Sequence, residues 1–238
     1  IIVRFLHKNE TESQKKHDEI DTKHSVIIAG FGHFGSTIGR FLRANGIDAT
    51  ILDSNTDQVE MLRRMGFKVF YGDATRLDLL KSAGIENARI LIAAIDSPEV
   101  NNHLIKTVTK HFPHIKVFAR ARNRFHAYEL MDMGISNIHR ETIHSSVELA
   151  KDALEELGFR KYTIARQAQK FIQYDEKAMT KLAESKDNMV DYALNVRREI
   201  EIQERLLQND LLVNFSSDDH SWDSNFVKES VGGKTSSE

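Results

Sequence analysis

The sequence predicts an α/β fold: a doubly wound parallel sheet followed by a helical C-terminal segment. Three observations lead there. Five short apolar runs alternate with amphipathic stretches between residues 25 and 119. A G-x-G-x-x-G closes the first run and opens a helical period. After Gly158 there is no glycine or proline until Gly232, and Ala, Glu, Lys, Gln, Arg and Leu dominate.

The elements follow in order. Residues 1–24 are polar, with Lys8, Glu10, Glu12, Lys15, Lys16, Asp18 and Glu19 between His7 and His24, and read as a linker. A chain that starts at Ile1 reads as an excised piece whose missing partner lies upstream. Five buried strands are predicted at Val26-Ile27-Ile28-Ala29, Ala49-Thr50-Ile51-Leu52, Lys68-Val69-Phe70-Tyr71, Arg89 to Ala94 and Lys116-Val117-Phe118-Ala119. Between them Phe34, Ile38, Phe41 and Leu42, then Val59, Leu62 and Met65, keep helical spacing, and Gly46 and Gly66 stand where left-handed caps end helices. A weaker sixth strand at Asn137-Ile138-His139 completes the sheet.

Beyond Gly158 the apolar positions Ile164, Ala168, Phe171, Ile172, Met179, Leu182, Ala183, Met189, Val190, Ala193, Leu194 and Ile200 recur at three- and four-residue steps. That stripe needs a surface to pack on, either its own sheet or a partner subunit. From Asn209 the Ser, Asp and Asn content reads as a frayed tail. The expected organisation is therefore a linker over 1–24, a nucleotide-binding domain over 25–142, a helical segment over 143–208 and a flexible tail over 209–238.

Composition excludes several functions. The chain has 238 residues, 33 basic against 35 acidic side chains, and a net charge of −2, so nothing draws it as a whole to nucleic acid. It has no cysteine, which removes disulfides, thiolate metal sites and cysteine nucleophiles. The longest apolar run, Ile90 to Ile95, is far below the roughly 20 residues of a membrane-spanning helix. No secretory signal is visible at Ile1-Ile2-Val3-Arg4-Phe5-Leu6.

The chemistry concentrates at the carboxyl ends of the strands. In Gly30-Phe31-Gly32-His33-Phe34-Gly35, Gly30 makes the tight turn, Gly32 admits a phosphate close to the backbone, and Gly35 lets helix pack on strand. The helix N-terminus offers N–H groups and a positive dipole end to an anion. Asp53, 23 residues after Gly30, can accept both ribose hydroxyls and would reject a 2′-phosphate. No arginine follows it, since Ser54, Asn55 and Thr56 come next, so AMP, ATP or NAD(H) is favoured over NADP(H). Helix capping is the other role open to Asp53.

Tyr71-Gly72-Asp73-Ala74-Thr75 and Ile95-Asp96 close the third and fourth strands on the same Rossmann-like crevice. Asp73 is expected near adenine or ribose. Asp96, ahead of Ser97-Pro98, reads equally as a helix cap. With Ser54, Ala74, Ala94 and Arg120, these residues make up the expected nucleotide site. Arg120, Arg122 and Arg124 alternate and would share one face of an extended strand, with Arg40 and Arg140 as further cations. Arginine forks suit a small ligand with several carboxylates, and salt bridges are the alternative for each. His111 and His114 read as surface residues rather than metal ligands, and no metal is expected.

Tyr-x-x-x-Lys, Gly-x-Ser-x-Gly and the Walker A lysine are all missing, as is a substrate domain. The expected protein holds nucleotide without consuming it and is not an enzyme. An NAD(H)-dependent oxidoreductase remains an alternative from another class.

Val26 to Gly35, Val69 to Thr75 and Phe118-Ala119-Arg120-Ala121-Arg122 together resemble the KTN (RCK) domain. Arg140-Glu141-Thr142, followed by a helix and a long charged segment, resembles more narrowly the cytoplasmic domain of the bacterial glutathione-gated potassium efflux systems, the KefC/KefB family. The resemblance covers about residues 25–205. It implies a regulatory domain that binds adenine nucleotide (AMP or NAD(H)) structurally and forms a homodimer. It also implies an upstream transmembrane antiporter domain, a place on the cytoplasmic face of the bacterial inner membrane, and a flavodoxin-like ancillary subunit. Glutathione would hold potassium efflux closed and glutathione S-conjugates would open it. The family's glutathione-contacting arginines match Arg40 and Arg140, and a third contact falls at Asp175, where relatives carry asparagine. Met65 stands where relatives sense the S-substituent with an aromatic ring, and His33 where arginine is commoner. The nucleotide-sensing regulator of a potassium uptake system is the alternative within this fold.

Overall fold

The computed structural model describes residues 25–215, with side chains through residue 209; the linker expected over 1–24 and most of the expected tail lie outside the described residues. In chain order the elements are β1 (Val26–Ala29), α1 (His33–Ala44), β2 (Ala49–Asp53), α2 (Thr56–Arg64), β3 (Val69–Tyr71), α3 (Leu77–Ser82), a 3-10 turn (Ile85–Asn87), β4 (Ile90–Ala93), α4 (Pro98–His111), β5 (Lys116–Ala121), α5 (Arg124–Asp132), β6 (Asn137–Arg140), α6 (Ile143–Glu156), α7 (Lys161–Ala183) and α8 (Met189–Phe215). The helix expected to fray from Asn209 continues to Phe215.

All six predicted strands form, in one sheet of order β3-β2-β1-β4-β5-β6. The pairings β1 with β2, β1 with β4, β2 with β3 and β5 with β6 are parallel. The order reverses direction at β1, where the chain crosses from β3 to β4, and that switch leaves a crevice beyond the carboxyl end of β1. Within the sheet the chain divides into two compact units, one of residues up to Ile95 with His103–Val117, the other of Asp96–Asn102 with Phe118 onward.

The first unit is built on strand alternation. Val26 and Ile28 of β1 join Phe31, Ile51, Val59, Leu62 and Val69 in one buried cluster, with Ile38 and Leu42 of α1 against it. The intervening Ile27, Leu52 and Leu91 point the other way and are fully buried. Burial of each such side chain stabilises by about 1.5–3 kcal/mol, which is why register errors that expose them are excluded. Asn55 starts α2 by accepting the Gln58 N–H at 3.1 Å. Gly46 and Gly66 lie at positive φ behind α1 and α2, as expected.

In the second unit Asn123 caps α5 by accepting the His126 N–H at 2.9 Å. Helices α7 and α8 run antiparallel, held by Gln167 to the Leu207 carbonyl, Gln203 to the Phe171 carbonyl and Lys181 to Glu199. Ile164, Met179 and Leu182 of α7 are buried as the stripe requires. The α8 half of that stripe does not pack on the chain's own sheet: Val190 is 69 % and Leu194 61 % exposed, and Met189 and Ile200 are exposed too, which leaves the partner-subunit alternative. The face of α8 turned inward carries Tyr192, Val196, Glu199 and Gln203. Polar side chains that bond across a helix pair line that seam, so the apolar stripe of α8 is turned away from α7. No residue of α6 is buried.

Candidate nucleotide and anion sites

The glycine turn of the first unit has the build its spacing requires. Gly30 has φ 87°, and a Cβ there would lie 2.8 Å from the Ile95 nitrogen and 2.9 Å from the Ala94 carbonyl. A Cβ on Gly35 would meet the Gly30 carbonyl oxygen at 2.0 Å, so α1 can follow β1 this closely only without a side chain. Gly32 stands at the N-cap of α1 with no side chain to cap it, and the first turn carries no acid. An unblocked, acid-free helix start is a receptor for an anion. His33 is exposed at this start.

Asp53 braces the turn. Its Oδ2 accepts the Phe31 N–H at 2.7 Å and its Oδ1 the Asn55 N–H at 2.8 Å. Gln58 Nε2 also donates to the Phe31 carbonyl. Asp53 therefore fixes the backbone on both sides of the crevice, and Asn55 takes the capping role. Each carboxylate oxygen keeps a second lone-pair direction for a hydroxyl. Ser54 is exposed beside it. The Gly72 N–H bonds the Asp53 carbonyl at 2.9 Å, which ties β3's end to β2's. Asp73 closes on Thr75, accepting its N–H at 2.9 Å and its hydroxyl at 2.8 Å, and Ala74 beneath it is buried. Ala94, also buried, donates to the Ala29 carbonyl at 2.8 Å. Glycine turn, Asp53, Ser54, Asp73, Ala74 and Ala94 thus belong to one unit.

The predicted arginine cluster is corrected. Extended backbone ends at Ala121, so the alternation that would align Arg120, Arg122 and Arg124 does not persist. Arg122 is exposed, while Arg124 opens α5. Arg120 is 8 % exposed, and its guanidinium meets Glu141 Oε2 at 2.6 Å and ion-pairs with Asp96. Burial works against its charge, but the hydrogen bonds it donates to Glu141 and Asp96 outweigh it and hold the guanidinium above its usual range. A guanidinium engaged by two carboxylates is a brace, which corrects the expectation that Arg120 faces nucleotide. Asp96 caps nothing: Ser97 accepts the Val100 N–H at 3.3 Å, and Asp96 stays exposed on Arg120.

The expected glutathione contacts divide between the units. Arg40 and Met65, both exposed, belong to the first. Arg140 and Asp175 belong to the second and meet there: the Asp175 carboxylate sits between Arg140 and Arg124. Arg124 is the partner sequence reasoning placed elsewhere. A carboxylate 35 residues beyond Arg140 gives no local signal that it pairs there.

His126 was not singled out, yet it is 4 % exposed and locks the β5–α5 connection. Its Nδ1 accepts the Arg122 N–H at 3.1 Å and its Nε2 lies 3.0 Å from Asn102 Oδ1, which fits a neutral ring protonated at Nε2. Burial lowers its pKa from 6.5, against the pull of Glu129 and Glu99.

Comparison with known proteins agrees with this geometry. Residues 26–141 match the TrkA-N domain family, and residues 145–221 match the potassium efflux system KefB C-terminal domain. The glutathione-regulated potassium-efflux system protein KefC of Cronobacter sakazakii is 40 % identical over 199 residues, covering 83 % of this chain and 32 % of that protein. KefC of Escherichia coli O139:H28 is 41 % identical over 184 residues, covering 77 % of this chain and 30 % of that protein. The chain thus spans about a third of the length of these relatives. The Shewanella denitrificans Kef C-terminal domain, solved in an AMP-bound form, superposes with a TM-score of 0.63 at 42 % identity, covering 68 % of this chain and 99 % of that one. The GsuK channel bound to NAD superposes at 0.51 and 26 % identity over 57 % of this chain and 25 % of that one. No helix among the described residues is long and apolar enough to cross a membrane. Sheet order, glycine turn, helical extension and these matches agree that the chain belongs to the KefC/KefB family as a Kef C-terminal domain.

Proposed function

We propose that the chain is the regulatory domain of a glutathione-regulated potassium efflux system, that it binds an adenine nucleotide without turning it over, and that it is not an enzyme. The observation that carries this reading is the glycine turn braced by Asp53, in a chain 42 % identical to a Kef domain solved with AMP. The phosphate sits on the α1 N-terminus, with the Gly30 to Gly35 turn around it. Asp53 takes the ribose hydroxyls, and Ser54, Asp73, Ala74 and Ala94 complete the pocket. AMP or NAD(H) fits the free ribose that Asp53 demands. Nucleotide here stabilises the sheet.

Glutathione and its S-conjugates are the regulatory ligands in this reading, inhibiting and activating respectively, with Arg40, Arg140 and Met65 as contacts and Asp175 at the same site against Arg140. Support comes from the KefC relatives' description as glutathione-regulated and from the arginine-rich second unit. Ligands differing only at sulfur would act by favouring different arrangements of the domain. The domain works as a homodimer: no residue of α6 is fully buried in the monomer, and Leu149 on it is 71 % exposed. It regulates an antiporter-type transmembrane part of the same polypeptide at the cytoplasmic face of the bacterial inner membrane, with a flavodoxin-like ancillary subunit as a further partner.

Calorimetric titration of AMP, NADH, glutathione and a bulky glutathione S-conjugate tests this, with Arg140→Ala in parallel. Saturable binding of glutathione and conjugate to one site, lost in the variant while AMP still binds, is the expected result. AMP binding with no response to either thiol ligand would leave a nucleotide module and overturn the glutathione part.

A further inference from the structure

Asp175 lies in the middle of α7 and is 7 % exposed, yet it carries a formal charge. A buried carboxylate persists only beside cations, and here there are two. Arg124 Nη2 donates to Asp175 Oδ1, and Arg140 Nη2 lies against Oδ2. The second contact is an ion pair out of line for a hydrogen bond, so the buried Arg140 Nη2 and Asp175 Oδ2 each lack a directional partner. Two guanidiniums against one carboxylate leave one positive charge uncompensated. Each arginine also applies a single nitrogen where its planar fork could apply two. The Tyr128 hydroxyl, beside Arg124, adds a neutral group.

This geometry is what remains when one carboxylate spans a site that fits two fork-shaped partners. A carboxylate from outside could bind either guanidinium bidentately, with Asp175 displaced onto the other. Arg124, 27 % exposed against 11 % for Arg140, marks the accessible side.

We propose that Asp175 is an internal competitor for the Arg124–Arg140 pair and thereby sets which anions the pair accepts. Free carboxylates of small peptides and amino acids bind by exchange with the aspartate, and anions that pair with the guanidiniums too weakly to displace it are rejected. The inference rests on the reading above only in taking glutathione as the natural carboxylate.

The test compares the 238-residue chain with Asp175→Asn, using AMP binding as a check that both are folded. Two probes are titrated: reduced glutathione by calorimetry and inorganic sulfate by its effect on Tm. Removing one competing charge-assisted contact should tighten glutathione binding about tenfold. Sulfate should raise Tm more in the variant than in the wild type, whose own rise comes from the open α1 start and from the general stabilising effect of sulfate. Equal sulfate responses, or weaker glutathione binding in the variant, would overturn the proposal. A larger sulfate response in the variant with no glutathione binding to either protein would uphold the competition and reject glutathione as the ligand.

Asp175→Asn leaves two buried guanidiniums facing each other, so the variant can fail to fold. In that event carboxyl NMR of wild-type chain labelled with 13C-aspartate reads the same step. Saturating glutathione, or glutarate if glutathione does not bind, should move the Asp175 signal. A signal unmoved by both would overturn the proposal.

Discussion

The Asp53 carboxylate accepts the Phe31 N–H at 2.7 Å, so the residue that closes β2 fixes the backbone of the turn that follows β1. One side chain thereby shapes the glycine turn and, in the proposed reading, presents an acceptor to the ribose. Asp53→Ala should cost about 1–2 kcal/mol of stability, since a charge-assisted bond to a half-buried N–H is lost. It should also abolish measurable AMP binding. Urea unfolding together with AMP calorimetry separates the two effects, and unchanged AMP affinity would remove Asp53 from the site.

Gly35→Ala places a methyl 2.0 Å from the Gly30 carbonyl oxygen, and that neighbour is backbone. Helix α1 must then move away from β1, at a cost of about 3 kcal/mol or more. We expect a large fall in Tm with no AMP response. Gly46→Ala is the control: a Cβ there meets nothing within 4 Å, and only its φ of 77° opposes the change, by about 1 kcal/mol.

Arg120 separates its two carboxylate partners by burial. Glu141 is 32 % exposed and Asp96 80 %. Glu141→Gln should therefore destabilise by about 2 kcal/mol, less than the 3–5 of a fully buried pair. Asp96→Asn should change stability by under about 1 kcal/mol. Double-mutant cycles with Arg120→Met give the two coupling energies, and a larger value for Asp96 would contradict this account.

His126 makes stability depend on pH. Its pKa in the folded state lies below 6.5, chiefly because it is buried, so the unfolded chain takes up the proton first as pH falls. More protons on the unfolded state mean that stability is lost on going down through about pH 6.5 and is restored above it. Protonation at Nδ1 would also break the bond from the Arg122 N–H. His126→Gln should flatten the difference in unfolding free energy between pH 7 and pH 5.5, measured by urea titration at each pH.

Leu149 is 71 % exposed on α6, whose residues are all outside the monomer's core. If α6 meets a second copy, Leu149→Glu should convert the dimer to monomer in analytical ultracentrifugation while AMP binding is kept. A monomeric wild type would reject the homodimer.

Local rules made most of the sheet readable. The apolar runs placed the first five strands to within two residues at each end, because a strand buried on both faces needs a continuous run and little else fits it. The glycine spacing located the anion site, because the requirement for missing Cβ atoms at Gly30 and Gly35 is written in residue identity. Asp53 was legible for a similar reason, since it ends a strand at a fixed distance from the turn.

What the sequence by itself determined is the set of elements, the sheet and the nucleotide turn, each specified by interactions within a short stretch. Only the tertiary structure decided the partners of the charges. Arg120 and Arg124 are two turns of an alternating pattern on paper, but one is held by Glu141 and Asp96 and the other by Asp175. Ion pairs join residues that spacing does not relate: Asp175 lies 51 residues from Arg124 and has no periodic signal toward it. The same holds for α8, whose inward face is chosen by hydrogen bonds to α7 rather than by its apolar stripe. Hydrophobic burial repeats along the chain and can be read there, whereas a charge in a low-dielectric interior takes whichever partner the fold brings within reach.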